Sequence, residues 1–429
     1  MTTKLRAGYA RRIITPPKGI YLIGYGDRLW GNRGIHDELT ASALAFDDGS
    51  TRVVILTCDL LAINEFTLRK IEKQVCTKLI VCCSHTHSGP IVFADKRSSR
   101  KNKHYVEFLI TQLVEVTREA IGKLNPAKLL WSAGKAEIAV NRRERKPDGH
   151  VVIGRNPEGP VDHSIGIVQV RTHQDQPIAT LVNFACHNVV LGPRNLLVSA
   201  DWAGVMRRFV EEVTGVPCLF IQGATGDLNP DHDWGEDDFK AVEQLGSQVA
   251  KNVLAALSEL TPIEVTPMKF DQSEIWLSLE TEATTPQPPA NYKSVIPILA
   301  GVPKFLIDTI LNQRFPWKTK IENRSGFWSI PLVITALRIG DLVWVGLGAE
   351  VFTQIGIKIK EMNPSKHNIF SSLTNGCVGY LPTADEHSLG GYEIDIAPFA
   401  YRLPGRFQSG VAELVIHQAK KILNQLDLF

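Results

Sequence analysis

Two histidines one residue apart, His85 and His87, stand in the segment Cys83-Ser84-His85-Thr86-His87-Ser88-Gly89-Pro90, directly after the apolar run Lys78–Cys83. Neutral imidazole is a common ligand of divalent cations, zinc foremost. If the run is a strand, side chains at i and i+2 leave it on the same side. The pair is therefore expected to leave the strand end together, before Gly89-Pro90 turns the chain. The alternative is two hydrogen-bonded loop histidines. A third, His187, ends another apolar run in Val182-Asn183-Phe184-Ala185-Cys186-His187. Strand ends of α/β sheets bring ligands together at one edge. Glu350, in Leu347-Gly348-Ala349-Glu350, follows a further apolar run and is expected to open a helix, where the dipole favours a carboxylate. With His85 and His187 it completes a His/His/Glu set of the composition found in catalytic zinc sites. Read otherwise, it is only a first-turn glutamate. A glycine-rich stretch, Gln222-Gly223-Ala224-Thr225-Gly226-Asp227-Leu228-Asn229-Pro230, also follows a strand-like run and reads as a site loop.

The elements that must position these residues alternate in type. Short β-branched or apolar runs at Arg52–Cys58, Lys78–Cys83 and residues 216–222 read as strands. Residues 65–76 and 104–124 have helical spacing, the second ending near Asn125-Pro126, a stop signal. Strands dominate residues 128–140 and 165–185. Asp201 is placed as the N-cap of a helix reaching about Val213. Phe239, Val242, Leu245, Val249, Val253 and Leu257 form one helical stripe, and residues 414–426 close the chain as an amphipathic helix. Residues 330–348 read as two strands joined at Gly340-Asp341. The pattern predicts an α/β fold, one large domain over residues 1–429, with a central mixed β-sheet flanked by helices. The one compositional break is 284–326, which opens on Thr285-Pro286-Gln287-Pro288-Pro289 and cannot begin as regular structure. It reads as an insertion: a lid, a lipid-facing surface or a helix on the core.

Composition narrows the classes. The 429 residues are 44% hydrophobic and 21% charged, which is ordinary for a globular chain. The 47 basic and 45 acidic residues leave a net charge of +2, so neither nucleic acid nor an acidic partner is indicated. No apolar stretch is long enough to span a membrane, leaving peripheral contact as the expected limit. Seven cysteines, most inside apolar runs, show no framework spacing, which favours a reducing, cytoplasmic setting. Oligomeric state is not encoded in any visible pattern.

These motifs, in this order, give the chain a resemblance to the neutral (non-lysosomal) ceramidases, zinc amidases that split the amide of N-acylsphingosine. The resemblance is carried by Arg12-Ile13-Ile14-Thr15-Pro16, Gly24-Tyr25, Gly34-Ile35-His36, His85-Thr86-His87-Ser88-Gly89-Pro90, Asn141-Arg142, Phe184-Ala185-Cys186-His187, Ser199-Ala200-Asp201, Gly226-Asp227-Leu228-Asn229-Pro230, Glu350, Tyr380 and Tyr392. It implies that His85, His187, Glu350 and Tyr380 hold one zinc ion, and that His87 moves a proton. It further implies that Arg142 and Tyr392 face the scissile amide, while Ile91 and Asp227 lie on the substrate side. The implied substrate is a small acylated amide, ceramide-like or another N-acyl amide.

The departures are specific. Asn229 stands where the family usually has a serine assigned to catalysis, and asparagine is no nucleophile; Asn229 is kept as a catalytic-site residue, with water as the attacking group. Ile91-Val92 replaces a Gly-Gly pair, which should reshape the pocket wall near His87. The family's C-terminal β-sandwich is expected to be absent. Two rivals remain. A two-metal esterase or phosphoesterase would draw on His36, Asp59, Asp201 and Asp227. A non-catalytic relative would bind an acylated ligand and not cut it.

Overall fold

The computed structural model describes residues 5–428 except 27, 29, 95–97, 233–237 and 282–319. The expected lid or lipid-facing segment therefore lies outside the described residues, apart from its end at 320–326. No described helix is long and apolar enough to cross a membrane.

A nine-stranded mixed sheet dominates. Its strands are β1 (Arg6–Ile13), β2 (Thr40–Asp47), β3 (Arg52–Cys58), β4 (Lys78–Cys83), β5 (Asn125–Lys135), β6 (Ser164–Thr172), β7 (Pro177–Phe184), β8 (Cys218–Gln222) and β9 (Thr261–Ile263). They run in the order β8-β7-β6-β5-β1-β2-β3-β4, with β9 added on β5. Most neighbours are antiparallel; β3 with β4 and β7 with β8 are parallel. A second sheet holds β10 (Met268–Ser278), β11 (Glu322–Arg324), β12 (Phe327–Ile339), β13 (Leu342–Leu347) and β14 (His367–Ser371), and its β13 and β14 are again parallel.

The expected mixed α/β class is observed, and the central sheet is mixed. One face is covered by helices, α1 (Glu65–Val75), α2 (Arg100–Gly122), α3 (Asp201–Thr214) and α4 (Phe239–Leu257). The other face meets the second sheet, whose outer side carries α5 (Thr353–Glu361) and the C-terminal helix α6 (Val411–Gln425). Strand residues show this directly. Leu79, Val81 and Cys83 of β4 join the core under α2, while Ile80 and Cys82 join the core between the sheets. A strand buried on both faces must be apolar throughout, so its sequence cannot say whether a helix or a sheet covers it. Cys82 and Cys83 thus lie on opposite faces, in two cores.

The outer edge of β4 is closed by Asn375. Its backbone sits in the left-handed region (φ 59°), where asparagine is tolerated. Its side chain accepts from Val81 N (2.7 Å) and donates to Leu79 O (2.9 Å), as a further strand would. Asn375→Ala leaves both buried groups without these partners and is expected to cost about 2–4 kcal/mol of stability, measurable by denaturant unfolding.

Candidate metal centre

Every residue of the predicted ligand set follows a strand that lies in a parallel pair. His85 follows β4, His187 follows β7, Glu350 follows β13 and Tyr380 follows β14. The pleat does not align the first histidine pair, contrary to the i, i+2 expectation. β4 ends at Cys83, and His85 takes a left-handed backbone (φ 65°), so a turn brings His85 and His87 together. Their rings meet edge-on, with centroids 4.9 Å apart. Glu350 does not open a helix either. It lies in a short parallel bridge directly opposite Tyr380, and α5 begins at Thr353. Strand pairing therefore aligns this carboxylate and phenol.

The two outer histidines are held alike. His85 Nδ1 lies 2.7 Å from Leu61 O, and His187 Nδ1 lies 2.8 Å from Leu228 O. A carbonyl can only accept, so each Nδ1 carries a proton, and in the neutral ring Nε2 is then left as the free lone pair. Both Nε2 atoms lie 3.1 Å from the same carboxylate oxygen, Glu350 Oε2. Burial pushes the His187 imidazole down to about 4, so it is neutral at physiological pH. Two imidazole Nε2 atoms and one carboxylate oxygen, all buried, thus converge, a donor set that fits a divalent cation.

His87 belongs to the same cluster, one of its ring nitrogens lying within 4.8 Å of one nitrogen each of His85 and His187. It differs in that, among the described residues, neither of its ring nitrogens has a hydrogen-bond partner. Tyr25 packs edge-on to the ring at 4.8 Å. Gly24, in the left-handed region (φ 115°), passes so close that a Cβ there would sit 2.6 Å from the ring. Gly24→Ala combines backbone strain with overlap and is expected to destabilise the protein by about 1–3 kcal/mol, read by chemical denaturation.

The cluster lies in a mostly apolar cavity lined by Ile23, Leu61, Ile91, Val92 and Phe93, with Tyr380, Tyr392 and Tyr401 beside the His/Glu group. Of the residues placed on the substrate or catalytic side, Ile91, His87 and Tyr392 line this cavity. Arg142, Asn229 and Asp227 do not. Arg142 is buried, donates from Nε to Glu393 Oε1 (2.8 Å) and from Nη1 to Asn229 Oδ1 (3.3 Å), and lies 5.3 Å over the Tyr380 ring. Asn229 thereby accepts from Arg142. Asp227 accepts from Thr353 N (2.8 Å) and Oγ1 (2.7 Å) at the start of α5, and from Asn141 Nδ2 (3.0 Å).

The second-metal residues are likewise engaged elsewhere. Asp59 pairs with Arg207 (2.7 Å), and His36 pairs with Asp37 and stacks on Phe239. Asp201 is the first residue of α3, not its cap; Ala200 holds that position. Its carboxylate accepts from Val190 N, Leu191 N and Trp202 N, tying the loop after His187 to the helix. Among the described residues, none of these four belongs to the histidine cluster.

Two contacts had no counterpart in the sequence reading. Tyr401 Oη donates to Glu350 Oε1. Glu393 bridges Arg142 and Arg143, its Oε2 accepting from Arg143 Nη1 at 2.7 Å. Both depend on partners far away in sequence, and neither residue sits in a motif that marks it.

A mixed α/β architecture of two stacked sheets, with a metal-type cluster buried beneath an apolar cavity, is the class that fold and site define. The chain belongs to the neutral/alkaline non-lysosomal ceramidase family: the description "Neutral/alkaline non-lysosomal ceramidase, N-terminal" matches residues 6–264. The chain is 24% identical over 243 residues to neutral ceramidase B of Dictyostelium discoideum, covering 49% of this chain and 33% of that protein. It is 23% identical over 286 residues to the neutral ceramidase of Mycobacterium tuberculosis, covering 56% of this chain and 44% of that one. The chain thus spans less than half the length of these curated relatives. Among solved structures, a ceramidase complexed with C2 matches with a TM-score of 0.73 at 17% identity, covering 97% of this chain and 74% of the other. The neutral ceramidase of Pseudomonas aeruginosa matches with a TM-score of 0.72 at 18% identity, covering 99% and 75%. At these identities the structural likeness concerns the fold.

Proposed function

We propose that the chain is a zinc-dependent hydrolase that cleaves the amide of an N-acylated, ceramide-like lipid. The observation that carries this reading is the convergence of two backbone-anchored imidazole Nε2 atoms on one oxygen of Glu350, inside an apolar cavity. His85, His187 and Glu350 would hold the ion, with Tyr380 as the fourth ligand implied by family resemblance. When bound, zinc supplies Lewis acidity toward the amide carbonyl and toward water.

The chain's own residues account for the rest. His87, half-buried and without a ring-nitrogen partner among the described residues, accepts a proton from the attacking water and returns it to the departing amine. Burial pushes the Tyr392 phenol up, so its hydroxyl stays protonated and can donate to a developing oxyanion. Arg142, stacked on Tyr380 and held by Glu393, fixes the position of that phenol. Ile91, Val92 and Phe93 form a wall suited to an alkyl chain and to exclusion of water. The cysteines, all free and all but Cys76 buried, support a reducing, cytoplasmic setting as part of this reading.

The test is a substrate panel on purified, zinc-loaded protein. It compares N-acylsphingosine, a simple N-acyl amide, a carboxylic ester and a phosphodiester, each with and without chelator, alongside elemental analysis. Chelator-sensitive amide cleavage at one zinc per chain supports the proposal. Phosphodiester cleavage with two metals per chain, or no amide cleavage by fully loaded protein, overturns it.

A further inference from the structure

Glu350 has two carboxylate oxygens in different surroundings. Oε2 faces His85 Nε2 and His187 Nε2. Oε1 accepts from the Tyr401 hydroxyl. That hydroxyl has a second neighbour, the buried Cys377 thiol, with Sγ to Oη 3.5 Å. A carboxylate only accepts, so the phenol proton is directed to Glu350 and the phenol oxygen receives the thiol. The ring itself is fixed. Tyr401 N donates to Ala397 O (2.9 Å), closing the helical turn Ala397–Ala400. The ring also stands edge-on to Tyr380, with centroids 6.2 Å apart. Tyr401 therefore touches the carboxylate directly and the Tyr380 phenol ring at its edge.

Resting on the reading of Glu350 as a metal ligand, we propose that Tyr401 is the positioning residue that commits Glu350 to bind the cation through Oε2 alone. A carboxylate with both oxygens free can chelate with two, which uses a coordination position that substrate or water needs. Engaging Oε1 in a charge-assisted hydrogen bond removes that option and fixes the plane of the carboxylate. Tyr401 lies 51 residues beyond Glu350, so only the fold brings the two together.

Tyr401→Phe deletes the hydroxyl and keeps the ring packing. Three measurements compare the variant with the parent protein: zinc affinity by chelator competition, the visible absorption of the cobalt(II)-substituted form, and the melting profile of the metal-free form. The expected result is a loss of zinc affinity of about 10–100-fold, with weaker cobalt absorption as the coordination number rises. The metal-free protein should still unfold cooperatively. Unchanged affinity together with an unchanged cobalt spectrum overturns the proposal. His187→Ala, measured in parallel, separates the two readings. If His187→Ala binds zinc as tightly as the parent, the metal site itself is misassigned. If it loses zinc while Tyr401→Phe keeps both affinity and spectrum, the positioning role alone fails. Should Tyr401→Phe not fold, Cys377→Ala gives a second test: with the thiol gone, the hydroxyl still reaches Glu350, so zinc affinity and cobalt spectrum should both be retained, and loss of both would place the control in Cys377 and not in Tyr401.

Discussion

Glu350→Gln is expected to abolish metal binding while leaving the metal-free fold intact or slightly more stable. In the native protein two imidazole Nε2 atoms face one carboxylate oxygen at 3.1 Å, a donor set that fits a divalent cation. Glutamine has the same shape but offers an amide N–H₂, which can donate to His85 Nε2 or His187 Nε2. The variant thereby replaces a cation-binding group by a hydrogen-bonded one. Loss of a direct ligand should exceed the roughly 10–100-fold effect of losing an outer partner of a ligand. Added zinc stabilises a folded protein in proportion to its affinity, by about 2.7 kcal/mol at a hundred times Kd. The parent protein should therefore melt higher with zinc than with chelator, and the variant should melt at one temperature in both. Elemental analysis would give near-stoichiometric zinc for the parent and little for the variant. A variant that keeps one zinc per chain and the zinc-dependent rise in melting temperature removes Glu350 from the ligand set.

Much of this centre was legible in the sequence because strand ends are legible. Runs such as Lys78–Cys83 and residues 216–222 are apolar throughout, and the polar residues that follow them must emerge at a sheet edge. That argument locates His85, His187 and Glu350 without saying how each is turned. The local geometry was read less well for a definite reason: it was inferred from repeating structure, and the residues stand where repetition stops. His85 sits in a left-handed turn and Glu350 in a two-residue bridge. Asp201, at φ 56°, starts a helix it was expected to cap. The second sheet was hidden for the opposite reason. Val53 and Ile55 read the same whether a helix or a sheet covers them, and only the assembled core between β3, β4 and β13 decides it. Tyr401 and Glu393 carried no local signal, because their significance lies wholly in partners brought near by folding.

The sharpest question concerns His87, which two chemistries could claim. By position it could be a third imidazole ligand, since its ring centroid lies 4.9 Å from that of His85 and 6.0 Å from that of His187. Its anchoring argues for proton transfer instead. His85 and His187 each have Nδ1 bound to a backbone carbonyl, which fixes the tautomer and aims Nε2. Among the described residues neither nitrogen of His87 is engaged, and desolvation lowers its proton affinity well below that of a free imidazole. A ring held by packing against Tyr25 and Gly24, with both nitrogens free, can bind a proton on one side and deliver it on the other. His87→Ala is accordingly expected to retain its zinc and to lose about 10²–10⁴-fold in turnover, the usual contribution of general acid–base catalysis. The substitution also opens space beside Tyr25, so imidazole added to the medium should restore part of the rate. Zinc content and imidazole rescue together decide the matter. Retained zinc with rescue assigns the proton to His87, and lost zinc without rescue makes it a ligand.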